Sequence, residues 1–162
     1  MATTTRRLDG LIVAGFRILR KGDMSKLRVL IADDNREMRW AMIRLLAGEY
    51  EVVGSTGDGR SLLDAALALN PDVIVSDVSM PNLTGPEAMD VLRATGSTIP
   101  FVLVSGDADS VNDYIEWGAL GFVHKMDLAY ELTRAIAAAG RGEVYVSRGV
   151  LHECVPRRAR QT

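Results

Sequence analysis

The side chains best suited to chemistry in this sequence stand where apolar segments end. The segments LRVLIADD and VIVSD end on Asp33, Asp34 and Asp77, while FVLVSG carries Ser105 and GFVHK ends on Lys125. Carboxylates brought together repel one another and raise one another's pKa unless a cation lies between them. Oxygen ligands with open positions suit Mg²⁺. A carboxylate beside such a metal and a lysine can act as a nucleophile toward phosphorus.

The elements that must position these residues follow from a regular alternation of short apolar and longer amphipathic segments. Short apolar segments predict strands over 27–34, 51–57, 72–77, 99–106 and 120–125. Segments with helical periodicity and helix start or stop residues predict helices over 36–48, 58–70, 86–95, 107–118 and 127–142. Strands alternating with helices indicate an α/β fold with a parallel sheet covered on both faces.

The predicted topology is the flavodoxin-like (βα)5 arrangement, a doubly wound parallel sheet with strand order 2-1-3-4-5. Ligands in such folds bind beyond the carboxyl ends of the strands at the switch point, here between the first and third strands. Those two strands end on Asp33, Asp34 and Asp77. Because neighbouring strands lie roughly 5 Å apart, we expect the three carboxylates in one pocket.

Composition excludes several classes of protein. The chain has 162 residues, of which 48% are hydrophobic and 25% charged, as expected for a globular domain. Its formal net charge of -2 argues against a strongly basic nucleic-acid-binding protein. The single cysteine, Cys154, excludes an internal disulfide and disfavours a zinc cluster. No segment is long and apolar enough to span a bilayer, and we expect a cytoplasmic chain without membrane or direct nucleic-acid contacts.

The chain divides into three predicted regions. Residues 1–23, which contain the short apolar stretch LIVAGFRIL, are expected to form a flexible or helical N-terminal extension. Residues 24–142 form the predicted domain. Residues 143–162 are expected to be a C-terminal tail or a truncated linker, with the basic run RRAR solvating the terminus.

The order of strand-end acids, hydroxyl and lysine resembles the receiver domain of bacterial response regulators across roughly residues 27–141. The resemblance implies that Asp77 accepts a phosphoryl group from a sensor histidine kinase or a phosphotransfer protein. It implies that Asp34, Asp77 and the backbone carbonyl of Ser79 ligate Mg²⁺, while Asp33 holds a metal-bound water. The expected function is a phosphorylation-dependent switch rather than an enzyme.

The resemblance also implies which residues respond to phosphorylation. Ser105 would move toward the phosphate, Lys125 would pair with it, and Phe122 matches the aromatic switch position. By analogy, the surface formed by the fourth strand, fourth helix, fifth strand and fifth helix is a candidate homodimer interface.

Some features are similar to one subfamily and leave alternatives open. Met126 follows the lysine where most receivers have proline, and ELTRAIAAAGRGEVYVSRGV is similar to the end of a NarL/FixJ-type receiver. A DNA-binding helix-turn-helix usually follows in that subfamily, whereas only LHECVPRRARQT remains here. The chain could therefore be a fragment of a NarL-type transcriptional regulator, or a phosphorylation-silent docking module. A haloacid-dehalogenase-like phosphatase would need an acid at position 79, where Ser79 stands.

Each assignment also has a purely structural alternative. Asp33 and Asp34 could cap the following helix, although Asn35 could do so alone. Asp77 could form a turn, and Ser105 could be a loop hydroxyl. Lys125 could be a solvated surface lysine, and Phe122 an ordinary core residue.

Overall fold

The computed structural model describes residues 26–151 and two short strands that precede them. These strands, β1 (Leu11–Ala14) and β2 (Arg17–Arg20), pair antiparallel with Leu11 opposite Arg20. These two segments form strands and not the helix that was one of the two predictions, because their β-branched residues favour extended backbone, and the flexibility of the extension stays a prediction. The rest of the predicted extension, and the tail from residue 152, lie outside the described residues.

A parallel sheet of six strands forms the centre of the domain. Its strands are β3 (Arg28–Ala32), β4 (Glu51–Thr56), β5 (Val73–Asp77), β6 (Phe101–Ser105), β7 (Gly121–His124) and β8 (Tyr145–Val146). They lie in the order β4-β3-β5-β6-β7-β8, and every neighbouring pair is parallel. The predicted order 2-1-3-4-5 is confirmed for the first five strands of this sheet, and β8 extends it by one strand.

Helices cover both faces of the sheet, as predicted. They are α1 (Arg36–Leu46), α2 (Gly59–Leu69), α3 (Gly85–Ala94), α4 (Val111–Glu116), α5 (Leu128–Gly140) and α6 (Arg148–Leu151). The buried side chains of α1 and α5 pack with one face of the strands, and those of α2 and α3 pack with the other. None of the helices in the described part of the chain is long and apolar enough to cross a membrane.

Helix α4 is shorter than predicted, because its first residues form turns instead. The predicted helix began at Asp107, and the observed one begins at Val111. The side chain of Asp107 accepts a hydrogen bond from the backbone N–H of Asp109 at 2.8 Å, which closes a local turn. Short acidic side chains compete with helical hydrogen bonding in this way.

The segment after α5 belongs to the domain, so the predicted boundary at residue 142 is wrong. Gly142, with a φ of +75°, turns the chain back toward the edge of β7. The backbone N–H groups of Tyr145 and Ser147 then donate to the carbonyls of Leu120 and Phe122, each at 2.9 Å. Helix α6 follows and buries Val150 in the core. The free backbone groups along β7 thus recruit a strand from the segment predicted to be a tail.

We predict that Val150→Ala lowers the free energy of unfolding by about 2 kcal/mol, because two buried carbon atoms are lost and a cavity remains. Leu151→Ala is the matched control, since Leu151 is 54% exposed and Val150 only 1%. Urea unfolding of the two variants provides the measurement. If both variants change the free energy of unfolding by the same small amount, the packing of α6 against the core does not stabilise the domain.

Candidate functional site

A lysine joins two buried carboxylates at the carboxyl end of the sheet. Asp33 directly follows β3, and Asp77 is the last residue of the neighbouring strand β5. Lys125 follows β7 and reaches across β6 to place its Nζ atom 2.9 Å from Asp77 Oδ2 and 3.5 Å from Asp33 Oδ2. Asp33 is fully buried and Asp77 is 4% exposed. The interpretation of Lys125 as a solvated surface lysine is therefore wrong.

Three carboxylates lie close enough to hold one cation. Asp33, Asp34 and Asp77 each offer an oxygen, and these oxygens lie within 4.8 Å of one another. Asp33 Oδ2 is buried and, apart from its ion pair with Lys125, has no hydrogen-bond partner among the described residues. Asp34 is exposed, which leaves the cluster open on one side. An oxygen-only set with an unsatisfied buried acceptor and an open side fits Mg²⁺, which keeps several water ligands.

The pKa values of Asp33 and Lys125 show the electrostatic cost of this arrangement. Burial raises the pKa of Asp33; the N–H of Asn35 and the charge of Lys125 lower it, whereas the charge of Asp77 adds to the rise. Burial by itself would lower the pKa of Lys125, but the hydrogen bond and charge of Asp77, with help from Asp33, raise it. Lys125 is therefore held in its charged form, and a cation near Asp33 would relieve the repulsion between the acids.

Asn35, not the acids, begins helix α1. Its side-chain oxygen accepts hydrogen bonds from the backbone N–H groups of Glu37 at 2.9 Å and Met38 at 3.1 Å. Asp33 Oδ1 accepts from the N–H of Asn35 at 2.8 Å, which orients the carboxylate rather than caps the helix. The interpretation of Asp33 and Asp34 as mere helix caps is wrong, because the cap position is already filled.

The loop after Asp77 folds back over the end of its own strand. The N–H of Ser79 donates to Asp77 Oδ1 at 3.3 Å, and the N–H of Gly85 donates to the carbonyl of Val78 at 2.9 Å. A Cβ atom on Gly85 would lie 2.3 Å from the carbonyl oxygen of Asp77, so only glycine permits this approach. Ser79 is exposed in this loop, and the metal-binding role of its carbonyl stays a prediction.

Ser105 lies at the same edge of the sheet. Asp77 is opposite Val104 in the ladder, and Ser105 is the next residue of β6. Its hydroxyl is half-buried and accepts a hydrogen bond from the N–H of Asp107 at 3.1 Å. The structure therefore places Ser105 beside the acid cluster with its hydroxyl engaged in its own loop.

His124 ties that loop to the end of β7. Its Nδ1 accepts from the N–H of Met126 at 3.2 Å, so in the neutral ring Nε2 carries the proton and donates to the carbonyl of Gly106 at 3.0 Å. These contacts give His124 a structural role at this edge of the sheet.

Phe122 lies in the core and not in the acid cluster. It is fully buried, and its ring stacks on Tyr114 with centroids 6.3 Å apart and planes 14° from parallel. The core interpretation describes its place in this structure, and its role as a switch stays a prediction.

Sequence reasoning missed Arg39, which contacts the acid-bearing turn directly. Its Nη1 donates to the carbonyl of Asp33 at 2.7 Å and approaches that of Asp34 at 3.4 Å. Arg39 lies on α1, which the sequence predicted as a helix over 36–48, next to the apolar face of that helix. Its position less than two turns after the acids lets a long cationic side chain fold back, but its partners are backbone carbonyls, which leave no mark in the sequence.

The comparisons with known proteins agree with this geometry. Residues 29–137 match the family described as response regulator receiver domain. The chain is 37% identical over 122 residues to the uncharacterized transcriptional regulatory protein YxjL of Bacillus subtilis, covering 73% of this chain and 56% of that protein. It is 36% identical over 121 residues to the transcriptional regulatory protein LiaR of the same organism, covering 72% and 57%. The chain thus spans little more than half the length of these curated relatives.

A solved structure shows the same architecture. The signal receiver domain of the putative response regulator NarL from Mycobacterium tuberculosis matches with a TM-score of 0.69 and 28% identity, covering 74% of this chain and 99% of that one. The family match covers the region that carries the acid cluster and Lys125. This chain belongs to the family of response regulator receiver domains.

Proposed function

We propose that this receiver domain is switched by Mg²⁺-dependent phosphorylation of Asp77, with a sensor histidine kinase or a phosphotransfer protein as the phosphoryl donor. The observation that carries the proposal is the contact of Lys125 Nζ with Asp77 Oδ2 at 2.9 Å, beside two further carboxylates. A nucleophilic carboxylate requires cationic partners that also neutralise the oxygens of the incoming group.

The residues that would hold the metal are Asp34, Asp77 and the carbonyl of Ser79, with Asp33 on a metal-bound water. Bound Mg²⁺ supplies positive charge to the oxygens of the transferring group. An oxygen of Asp77 attacks the phosphorus of a phosphohistidine, the phosphorus–nitrogen bond breaks, and the imidazole nitrogen leaves with the electron pair. Lys125 already pairs with Asp77 and would remain beside the new phosphoryl oxygens.

The switch would act through the hydrogen bonds of the neighbouring loop. Ser105 would release the N–H of Asp107 and donate its own hydroxyl proton to a phosphate oxygen, and Phe122 would follow by changing its packing against Tyr114. Such a change biases an equilibrium between two conformations of the surface formed by β6, α4, β7 and α5. We propose that this surface binds a partner or a second copy, with β8 contributing because it lies along β7.

We predict that acetyl phosphate adds one phosphoryl group to the protein only when Mg²⁺ is present. Asp77→Asn should abolish the gain, whereas Asp90→Asn, which removes an exposed carboxylate from α3, should retain it. Intact-mass spectrometry measures the modification. Labelling of Asp77→Asn would remove Asp77 as the acceptor, and labelling of neither protein would favour a phosphorylation-silent docking module.

We predict that Mg²⁺ stabilises the folded protein, because the metal binds the assembled carboxylates and not the unfolded chain. At ten times the dissociation constant, the free energy of unfolding should rise by about 1.4 kcal/mol. Asp34→Asn should remove most of this gain, and since Asp34 is exposed the variant should still fold. Thermal unfolding with and without Mg²⁺ gives the comparison, and an undiminished gain in Asp34→Asn would exclude Asp34 as a ligand.

A second candidate follows from the length of the relatives. YxjL and LiaR are named as transcriptional regulatory proteins, and the chain spans little more than half of each. The same receiver could therefore regulate a DNA-binding domain in a longer protein. The coding sequence downstream of residue 162 decides between a stand-alone receiver and this arrangement. In either case we propose a cytoplasmic signalling protein whose receiver is not itself an enzyme.

A further inference from the structure

The turn that carries Asp33 and Asp34 is held from two sides. On the sheet side, the N–H of Asp33 donates to the carbonyl of Thr56, at the end of β4, at 3.1 Å. On the helix side, Arg39 Nη1 donates to the carbonyl of Asp33 at 2.7 Å and approaches that of Asp34 at 3.4 Å. The backbone of both acids therefore lies between a strand end and a guanidinium group.

The position of the guanidinium group depends on its neighbours. A Cβ atom on Gly57 would lie 3.3 Å from Arg39 Nη1, so the absence of a side chain there leaves room for the group. Arg39 itself is half-buried on the first turns of α1, and its N–H donates to the carbonyl of Asn35 at 3.1 Å. The helix that begins at the acid turn thus sends a cation back onto that turn.

These contacts reach the acids through their carbonyls and not through their carboxylates. A guanidinium bound to a carboxylate would compete with a metal, whereas one bound to the carbonyl leaves the side-chain oxygens free. The two carboxylates belong to adjacent residues, so the direction of each depends on the backbone between them. Groups outside the ligand set that orient the ligands commonly change metal affinity by about 10- to 100-fold.

We propose that Arg39 is a positioning residue for Mg²⁺ binding, which acts by holding the Asp33–Asp34 backbone so that both carboxylates point into the site. The inference rests on the proposed function, because it assumes that this cluster is a metal site. Two effects oppose each other when Arg39 is removed. Loss of a positive charge favours a divalent cation, whereas loss of the hydrogen bonds disorders its ligands, and the direct carbonyl contact makes the second effect the larger.

We predict that Arg39→Met raises the dissociation constant for Mg²⁺ about 10-fold, as measured by isothermal titration calorimetry. Arg36→Met is the matched control, because Arg36 is an exposed cation on the same helix, three residues earlier. It should change the constant less than about twofold. Arg39→Lys retains the charge without the planar group and should give an intermediate value.

Two further measurements, acetyl phosphate labelling and thermal unfolding, separate the outcomes. At saturating Mg²⁺, acetyl phosphate should label Arg39→Met nearly as well as it labels the protein without a substitution, because Arg39 does not touch the acceptor oxygen of Asp77. An unchanged or lower dissociation constant in folded Arg39→Met would overturn the inference. If thermal unfolding shows that this variant is not folded, Arg39→Lys decides, and unchanged affinity there has the same meaning. If the protein without a substitution binds no Mg²⁺, the proposed function itself fails.

Discussion

The ion pair between Lys125 and the buried carboxylates Asp33 and Asp77 is the interaction on which the site depends. Two acids at adjacent strand ends repel each other more strongly as they are removed from water. The long side chain of Lys125 relieves this repulsion from a strand two places away from β5. This reach works only if β6 separates β5 from β7 and all three strands run in the same direction.

Close backbone contacts in the loops at this edge help to keep the two acids buried. Asp77 can stay buried because Gly85 lets the start of α3 lie against its carbonyl. Asp33 keeps its carboxylate directed inward because Asn35 supplies both the cap of α1 and an N–H for the acid. The fold therefore holds both carboxylates with backbone N–H groups as well as with Lys125.

Much of this arrangement could be predicted from the sequence. Apolar segments that end on Asp33, Asp77 and Lys125 indicate buried parallel strands, and the fold follows from their alternation with helices. The pairing of β8 could not be predicted in this way, because two residues carry no periodicity and the free edge of β7 decides where they lie. The role of Arg39 was hidden for a different reason. Its contacts go to backbone carbonyls, which every residue has, so no pattern of side chains marks them.

The short strand β8 has a consequence for how the molecule meets other chains. An unpaired strand edge is a template for pairing with another protein, and short edge strands limit this hazard. By lying along β7, Tyr145–Val146 replaces a four-residue edge with a two-residue one. At the opposite side of the sheet, β4 keeps six residues. Among the described strands of this sheet, β4 therefore offers the longer template for strand addition, far from the surface that would report phosphorylation.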